Sequence, residues 1–86
     1  GVEDVVIPLS PDLRNVAVKV ASALRSSDRL VDLVLDDKKM KWAFKHAERI
    51  GATRIVLVGK EEWSRQKVKI KDLETGDETE LSIEDL

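Results

Sequence analysis

Residues 36–59 have the sequence DDKKMKWAFKHAERIGATRIVLVG, and this stretch decides the fold. Its apolar residues recur at the i, i+3, i+4, i+7 spacing of a helix with one buried face. They are Met40, Ala43, Phe44, Ala47 and Ile50. Gly51 is suited to the left-handed conformation that often ends a helix, and RIVLV at 54–58 is typical of a strand buried on both faces. The stretch therefore predicts a helix over about 38–50, a tight turn and a buried strand.

The predicted helix carries a large aromatic residue among cations. A step of about 100° per residue places Trp42 nearly opposite Met40, on the side away from the core. Three cations share that outer face, namely Lys38, Lys45 and Arg49. Asp36 and Asp37 are predicted to cap the amino terminus of the helix. Stacking on a nucleic-acid base and packing against another domain are alternative explanations for the exposed Trp42.

Strands and helices also alternate upstream of this stretch. Val5-Val6-Ile7 is a short β-branched run that ends at Pro8, which predicts a buried first strand. Ser10-Pro11-Asp12 is typical of a helix start, and apolar residues follow at helical spacing as far as Leu24. Residues 30–35 predict a second strand. Because strands alternate with helices, we expect right-handed crossovers and a parallel sheet.

Downstream of the buried strand the pattern changes. Residues 60–66 predict a short helix or turn, and KVKIK at 67–71 and ETELSI at 78–83 alternate like strands with one dry face. We expect an α/β fold with a three-layer, mixed five-stranded sheet flanked by helices. Its parallel βαβαβ core has the strand order 2-1-3, and an antiparallel hairpin extends it beside strand 3. One domain is expected over residues 1–86, cut from a longer chain.

Charge divides the chain into three parts, although the net charge is only −2. Residues 1–37 contain 4 basic and 7 acidic side chains, which gives −3. Residues 38–71 contain 11 basic and 3 acidic side chains (+8), and residues 72–86 contain 7 acidic side chains and no basic one (−7). The basic segment attracts phosphates if its side chains share a face. Neutralisation by the acidic tail is the alternative, and both can hold on different faces.

Most residue sets that catalysis or metal binding requires are absent. The chain has no Cys and only one histidine, His46, which excludes thiolate chemistry and a histidine cluster. Neither strand-to-helix junction has the glycines of a phosphate-binding loop, and Ser10 is better explained as a helix cap than as a nucleophile. No apolar run approaches the roughly 20 residues of a membrane span. We predict no catalytic residue, metal site or cofactor in this chain, and no membrane contact.

Four short motifs follow one another along the chain. They are DVVIPL at 4–9, the basic helix that ends in Ile50-Gly51-Ala52, IVLVGKEE at 55–62, and VKIKDL at 68–73 followed after one residue by Thr75-Gly76. In this order they resemble the C-terminal anticodon-binding domain of class II aminoacyl-tRNA synthetases, in particular the histidyl type. The resemblance covers essentially the whole chain. It implies the mixed five-stranded fold of that family and recognition of the anticodon of the histidine tRNA.

The resemblance also implies which side chains contact the tRNA. Bases are contacted from the sheet edge and its loops, where the matching positions are Glu62, Lys69 and Lys71. Glu62 would accept a hydrogen bond from a guanine or cytosine edge, and the two lysines would hold phosphates or base carbonyls. The basic helix would hold the backbone of the stem-loop. The predicted RNA-binding residues are therefore Lys38, Lys39, Lys41, Trp42, Lys45, Glu62, Lys69 and Lys71.

A parent protein is implied as well. It would be a histidine–tRNA ligase whose catalytic domain, with ATP and Mg²⁺, lies outside this chain. The implied partners are the tRNA(His) anticodon stem-loop and that catalytic domain, in a homodimer located in the cytoplasm or in the matrix of a mitochondrion or chloroplast. The chain departs from the family at Lys41-Trp42-Ala43, where a polar amide is usual. The alternative is a regulatory or protein-interaction domain with the same fold.

Overall fold

A computed structural model describes residues 1–86, and its five strands form one mixed sheet. The strands are β1 (Asp4–Pro8), β2 (Val31–Leu33), β3 (Arg54–Val58), β4 (Lys67–Asp72) and β5 (Glu78–Ser82). Their order in the sheet is β2-β1-β3-β4-β5. β1 pairs in parallel with β2 and β3, whereas β4 is antiparallel to both β3 and β5. The predicted strand order and the predicted antiparallel hairpin are confirmed.

Helices cover both faces of the sheet and produce the three predicted layers. The chain enters α1 (Arg14–Ser26) through a 3-10 turn at Pro11–Leu13, and α2 (Met40–Ile50) follows β2. A single helical turn, α3 (Lys60–Trp63), connects β3 to β4, and a second 3-10 turn at Ile83–Asp85 follows β5. The α/β class and the mixed sheet flanked by helices are therefore confirmed.

The central strands supply both hydrophobic cores, because successive side chains of a strand point to opposite faces. On one face, Val6 and Val56 pack with α1 residues such as Val20 in a cluster of ten buried residues. On the other face, Val5 and Ile55 belong to a cluster of eight buried residues. That second cluster includes the α2 residues Ala43 and Ala47. The apolar runs predicted to be strands buried on both faces have this arrangement.

The two faces differ over the hairpin. Val68 and Ile70 of β4 belong to the core on the α1 side, and Leu81 and Trp63 pack against it. Residues directly paired between strands share a face, so Lys69, which is paired with Leu57 of β3, lies on the α2 side. α2 packs on β1 and β3. The α2 side of the hairpin is therefore occupied by polar side chains and remains open.

The start of α2 differs from the prediction. Lys39 is the N-cap residue, and the helix has no side-chain cap and no acidic residue in its first turn. The prediction that Asp36 and Asp37 cap the helix is therefore wrong. A bend in the backbone, in which the N–H of Lys38 donates to the carbonyl of Asp36 (2.8 Å), separates these carboxylates from the helix. Gly51 has φ of 74° at the other end, which confirms its left-handed conformation.

Two other segments are shorter than predicted. β2 extends over Val31–Leu33 rather than residues 30–35, and the side chains of Leu30 and Leu35 are exposed at its ends. β2 is an edge strand, and arginine side chains of α1 donate to the carbonyls of Val31 and Leu35. Ser10 precedes the first helical turn as predicted, but its side chain makes no capping hydrogen bond. The final predicted helix is only the 3-10 turn.

Asp4, at the start of β1, is completely buried. Arg29 donates to it through Nε (3.0 Å) and Nη2 (2.8 Å), and Arg54 does so through Nε (2.8 Å) and Nη2 (3.0 Å). Burial raises the pKa of Asp4, but the hydrogen bonds from Arg29 and Arg54 outweigh that effect and hold this pKa below its ordinary value. This group ties the segment before β2 to the first residues of β1 and β3.

Candidate nucleic-acid interface

The open part of the α2 face forms a cavity of about 400 Å³ between the start of α2 and the hairpin. The three side chains predicted to contact bases line this cavity, namely Glu62, Lys69 and Lys71. They come from α3 and β4, which approach each other because a short turn links them. The volume lies within the range of about 300–1,000 Å³ that is usual for ligand clefts.

Apolar side chains also line this cavity. They are Leu9, Met40, Phe44 and Leu57. The sequence pattern assigned Met40 and Phe44 to the core stripe of the helix. Met40 is 45% exposed, whereas Phe44 is half-buried and does pack against the core. The small residues Ala43 and Ala47 face the sheet directly, so the border of the stripe becomes a cavity wall. A methionine at the start of a helix, between lysines, was the available signal for this.

Glu62 is the buried acidic group of the cavity and is only 9% exposed. The nearest cation is the Nζ atom of Lys69, 3.9 Å from its Oε2 atom. The neighbouring Glu61 carboxyl group and burial raise the pKa of Glu62 above its ordinary value. A nearly buried carboxylate without a close cation is suited to accept hydrogen bonds from a ligand.

The lysines of β4 are not neutralised by the acids across the hairpin. Lys69 lies opposite Glu80 and Lys71 opposite Glu78, which confirms the predicted cross-strand neighbours. Glu80, however, accepts a hydrogen bond of 2.5 Å from Arg65 instead. Glu78 also lines the cavity, but no ion pair within 4.0 Å joins it to Lys71. Lys71 is therefore free of an ion pair, whereas Lys69 lies 3.9 Å from the carboxylate of Glu62 within the cavity.

A second positive surface, which we call the lysine ridge, follows α2. It consists of Lys38, Lys39, Lys41, Lys45 and Arg49, all of them exposed. The cations in the ion pairs of this chain are Arg29, His46, Arg54, Lys60, Arg65 and Lys69, so the ridge has no acidic partner. Cations near the positive amino-terminal end of a helix are unfavourable, which makes this end of α2 strongly anion-attracting. The acidic tail does not neutralise the ridge.

Trp42 lies between the ridge and the core. The prediction that it points away from the core is wrong, because its ring is half-buried and packs against the hydrophobic cluster on the α2 side. The ring stacks on His46 with centroids 4.6 Å apart, and the Nζ atom of Lys38 lies 5.3 Å from the ring centroid. His46 in turn bonds to Asp32 of β2 (2.6 Å). Trp42 lies about 100° from Ala43 around the helix, and its large ring reaches the core from there.

Other kinds of site are not formed by these residues. No group of three or more histidine and acidic side chains is arranged to hold a metal ion. None of the helices has the length and apolar character needed to cross a membrane. What the structure presents is a cavity with apolar, acidic and basic walls next to a ridge of unpaired cations.

An α/β domain with these two surfaces belongs, by its features, to the class of nucleic-acid-binding modules. The sequence model of the family described as "Anticodon binding domain" matches residues 4–86. The chain therefore belongs to the anticodon-binding domain family.

Its relatives include histidine–tRNA ligases. The chain is 46% identical to "Histidine--tRNA ligase, chloroplastic/mitochondrial" of Arabidopsis thaliana over 85 residues, which cover 99% of the chain and 18% of that protein. It is 35% identical to the histidine–tRNA ligase of Pyrococcus horikoshii over 86 residues, which cover 100% of the chain and 20% of that protein. The crystal structure of histidyl-tRNA synthetase from Nostoc sp. PCC 7120 superposes with a TM-score of 0.92 at 27% identity, over 99% of this chain and 20% of that one.

The chain thus spans about a fifth of the length of these relatives. The family and fold predicted from the motif order, a histidyl-type anticodon-binding domain with a mixed five-stranded sheet, are confirmed.

Proposed function

We propose that this chain binds the anticodon stem-loop of tRNA(His), as the anticodon-binding domain of a histidine–tRNA ligase. One observation carries the proposal: Glu62, Lys69 and Lys71 line a single cavity, and an unpaired lysine ridge lies beside it. Family membership and the likeness to histidine–tRNA ligases support the same function.

The cavity is assigned to base recognition. A carboxylate such as Glu62 accepts hydrogen bonds from the amino groups of guanine or cytosine, and the lysines donate to base carbonyls or phosphates. Phe44 offers an aromatic surface, and stacking of a base on such a surface contributes about 1–3 kcal/mol in single-strand binders. Bases that are splayed out of an RNA loop are the usual targets of such sites.

The lysine ridge is assigned to the backbone of the stem-loop. Lys38, Lys39, Lys41 and Lys45 attract phosphates without regard to sequence, and their contribution decreases as salt increases. A phosphate near Lys39 would also interact with the uncapped amino terminus of α2. Trp42 supports the ridge by holding Lys38 over its ring.

The larger assignment concerns the parent protein. Residues 1–86 would form one domain of a longer ligase, and ATP-dependent aminoacylation with Mg²⁺ would take place in its catalytic domain, outside this chain. That catalytic domain and a second subunit are the further partners, in the cytoplasm or an organelle matrix. The name of the Arabidopsis relative includes both organelles. A regulatory role on the same fold is less favoured, because the relatives named above are ligases.

Binding of the chain to the tRNA(His) anticodon stem-loop over a salt series tests the proposal. Affinity should fall steeply with salt, and replacement of single anticodon bases should weaken binding more than replacement of a stem base pair. Lys71→Ala and Glu62→Ala should weaken binding, whereas Lys19→Ala, which changes an exposed lysine on α1, should not. If affinity is insensitive to the anticodon sequence, base recognition is wrong and only attraction to the backbone remains.

A further inference from the structure

Gly59, the residue before α3, lies against the carboxylate of Glu62. A Cβ atom on residue 59 would overlap the Oε1 atom of Glu62 and would lie 3.6 Å from the Cδ1 atom of Leu9. The backbone of Gly59 has φ of −107° and ψ of 155°, an extended conformation that any residue can adopt. Its conformation therefore does not require glycine. A side chain at residue 59 would instead displace the Glu62 carboxylate, the end of a flexible side chain, from the space that it occupies.

Neighbouring side chains hold the carboxylate from its other side. Its Oε2 atom faces the Nζ atom of Lys69 at 3.9 Å. Arg65 bonds to Glu80, the acid directly across the hairpin from Lys69, at 2.5 Å, and it also lies 3.5 Å from Glu61. The Glu62 carboxylate thus lies between the backbone of Gly59 and the amine of Lys69, at the wall of the cavity.

We propose that Gly59 is a positioning residue for base selection, because its missing side chain lets the Glu62 carboxylate lie where it accepts a hydrogen bond from the amino group of a guanine or cytosine. The inference rests on the proposed recognition of the anticodon. In a Gly59→Ala variant the added methyl group displaces the carboxylate towards the cavity. The acceptor is then misplaced, and a base with an amino group loses its advantage.

The test is a double-mutant cycle in which wild type, Gly59→Ala, Glu62→Gln and the double variant bind two anticodon stem-loops. One loop of each pair has guanine at the tested position and the other has inosine, which lacks the amino group of guanine. Each guanine of the anticodon is tested in turn. Wild type should prefer one guanine loop by about tenfold. Gly59→Ala should reduce this preference to within about threefold, and in the Glu62→Gln background it should have no further effect.

The ratio of two affinities separates this role from a merely structural one, since partial unfolding weakens binding of both loops equally. Glu62→Asp is the second variant: it leaves Gly59 intact, withdraws the carboxylate by one methylene and should lose the same preference. Equal preference in wild type and Gly59→Ala would overturn the inference alone, as would independent effects of Gly59→Ala and Glu62→Gln. A wild type that distinguishes no anticodon base would contradict the proposed function itself.

Discussion

Two carboxylates, Asp4 and Glu62, are withdrawn from solvent at opposite ends of β3, and their surroundings differ. Asp4 accepts hydrogen bonds from two arginines. The nearest cation to Glu62, the amine of Lys69, is 3.9 Å away, which exceeds a hydrogen-bond distance. The pKa of Asp4 is accordingly lowered and that of Glu62 raised. A buried carboxylate whose partners are complete belongs to the scaffold, whereas one with incomplete partners is available to a ligand.

The largest effect is expected at the end of the sheet that contains Asp4. Asp4→Ala removes the carboxylate that both guanidinium groups bond to, leaves Arg29 only a 3.7 Å contact to Glu3, and should lower the free energy of unfolding by about 3–5 kcal/mol. Urea denaturation at neutral pH measures this. Asp37→Ala is the control, since Asp37 is exposed and takes part in no ion pair of the chain, and it should leave stability nearly unchanged. Equal losses of unfolding free energy in both variants would show that Asp4 stabilises the fold no more than an exposed aspartate does.

Trp42→Ala tests whether this aromatic side chain stabilises the scaffold or contacts the RNA. Its ring packs on the core and on His46, so the variant should lose about 2 kcal/mol of unfolding free energy. The affinity for the stem-loop, measured while the variant is folded, should decrease no more than in Lys38→Ala. A large loss of affinity with unchanged stability would instead place Trp42 in the interface as a stacking surface.

Lys71→Ala, at the cavity, should weaken RNA binding while leaving stability nearly unchanged. Loss of a charged hydrogen bond should weaken stem-loop binding by about 1.5 kcal/mol, or roughly tenfold, and reduce the slope of log affinity against log salt by about one if the contact is a phosphate. Stability should change by less than about 0.5 kcal/mol, because Lys71 makes no ion pair within the chain. Fluorescence anisotropy at several salt concentrations gives both quantities. If the Lys71→Ala variant unfolds more easily but binds RNA normally, Lys71 stabilises the fold and does not contact the RNA.

Much of the fold could be predicted because its signals are local. Apolar runs and helical spacing identified the strands and helices, and strict alternation in residues 67–71 placed Lys69 and Lys71 on one face before the structure was known. Of the cavity, only the shared face of Lys69 and Lys71 could be predicted from this alternation. Periodicity shows which residues share a face but not how far the neighbouring layer extends. Met40 was therefore assigned to the core, and Phe44, which does pack against the core, was not recognised as part of the cavity wall as well.

The group around Asp4 could not be predicted, because its partners are distant in sequence. Arg29 is 25 positions away and Arg54 is 50 positions away, and neither lies in a motif that points to Asp4. Asp36 and Asp37 fit the capping pattern, but a bend that no propensity indicates moves the helix start to Met40. Both misses depend on backbone geometry between elements rather than within them.

The smallest expected effect is the pH dependence of stability, which should have opposite signs for Asp4 and Glu62. The pKa of Asp4 is lowered, so its stabilisation is present above the ordinary aspartate pKa of about 3.9 and is lost as pH falls through its folded value. The pKa of Glu62 is raised, so its contribution is present below the ordinary glutamate pKa of about 4.3 and is lost as pH rises through its folded value.

Unfolding free energies measured between about pH 2 and pH 7 separate the two groups. Asp4→Asn should flatten the acid side of the curve, and Glu62→Gln should remove a small decline in stability that begins as pH rises past the ordinary glutamate pKa of about 4.3. Thr79→Ser, an exposed substitution on β5, serves as the control and should leave both sides of the curve unchanged. If Glu62→Gln instead destabilises the chain at pH 7, the carboxylate of Glu62 contributes to the scaffold as Asp4 does. The cavity would then have no carboxylate available for a base.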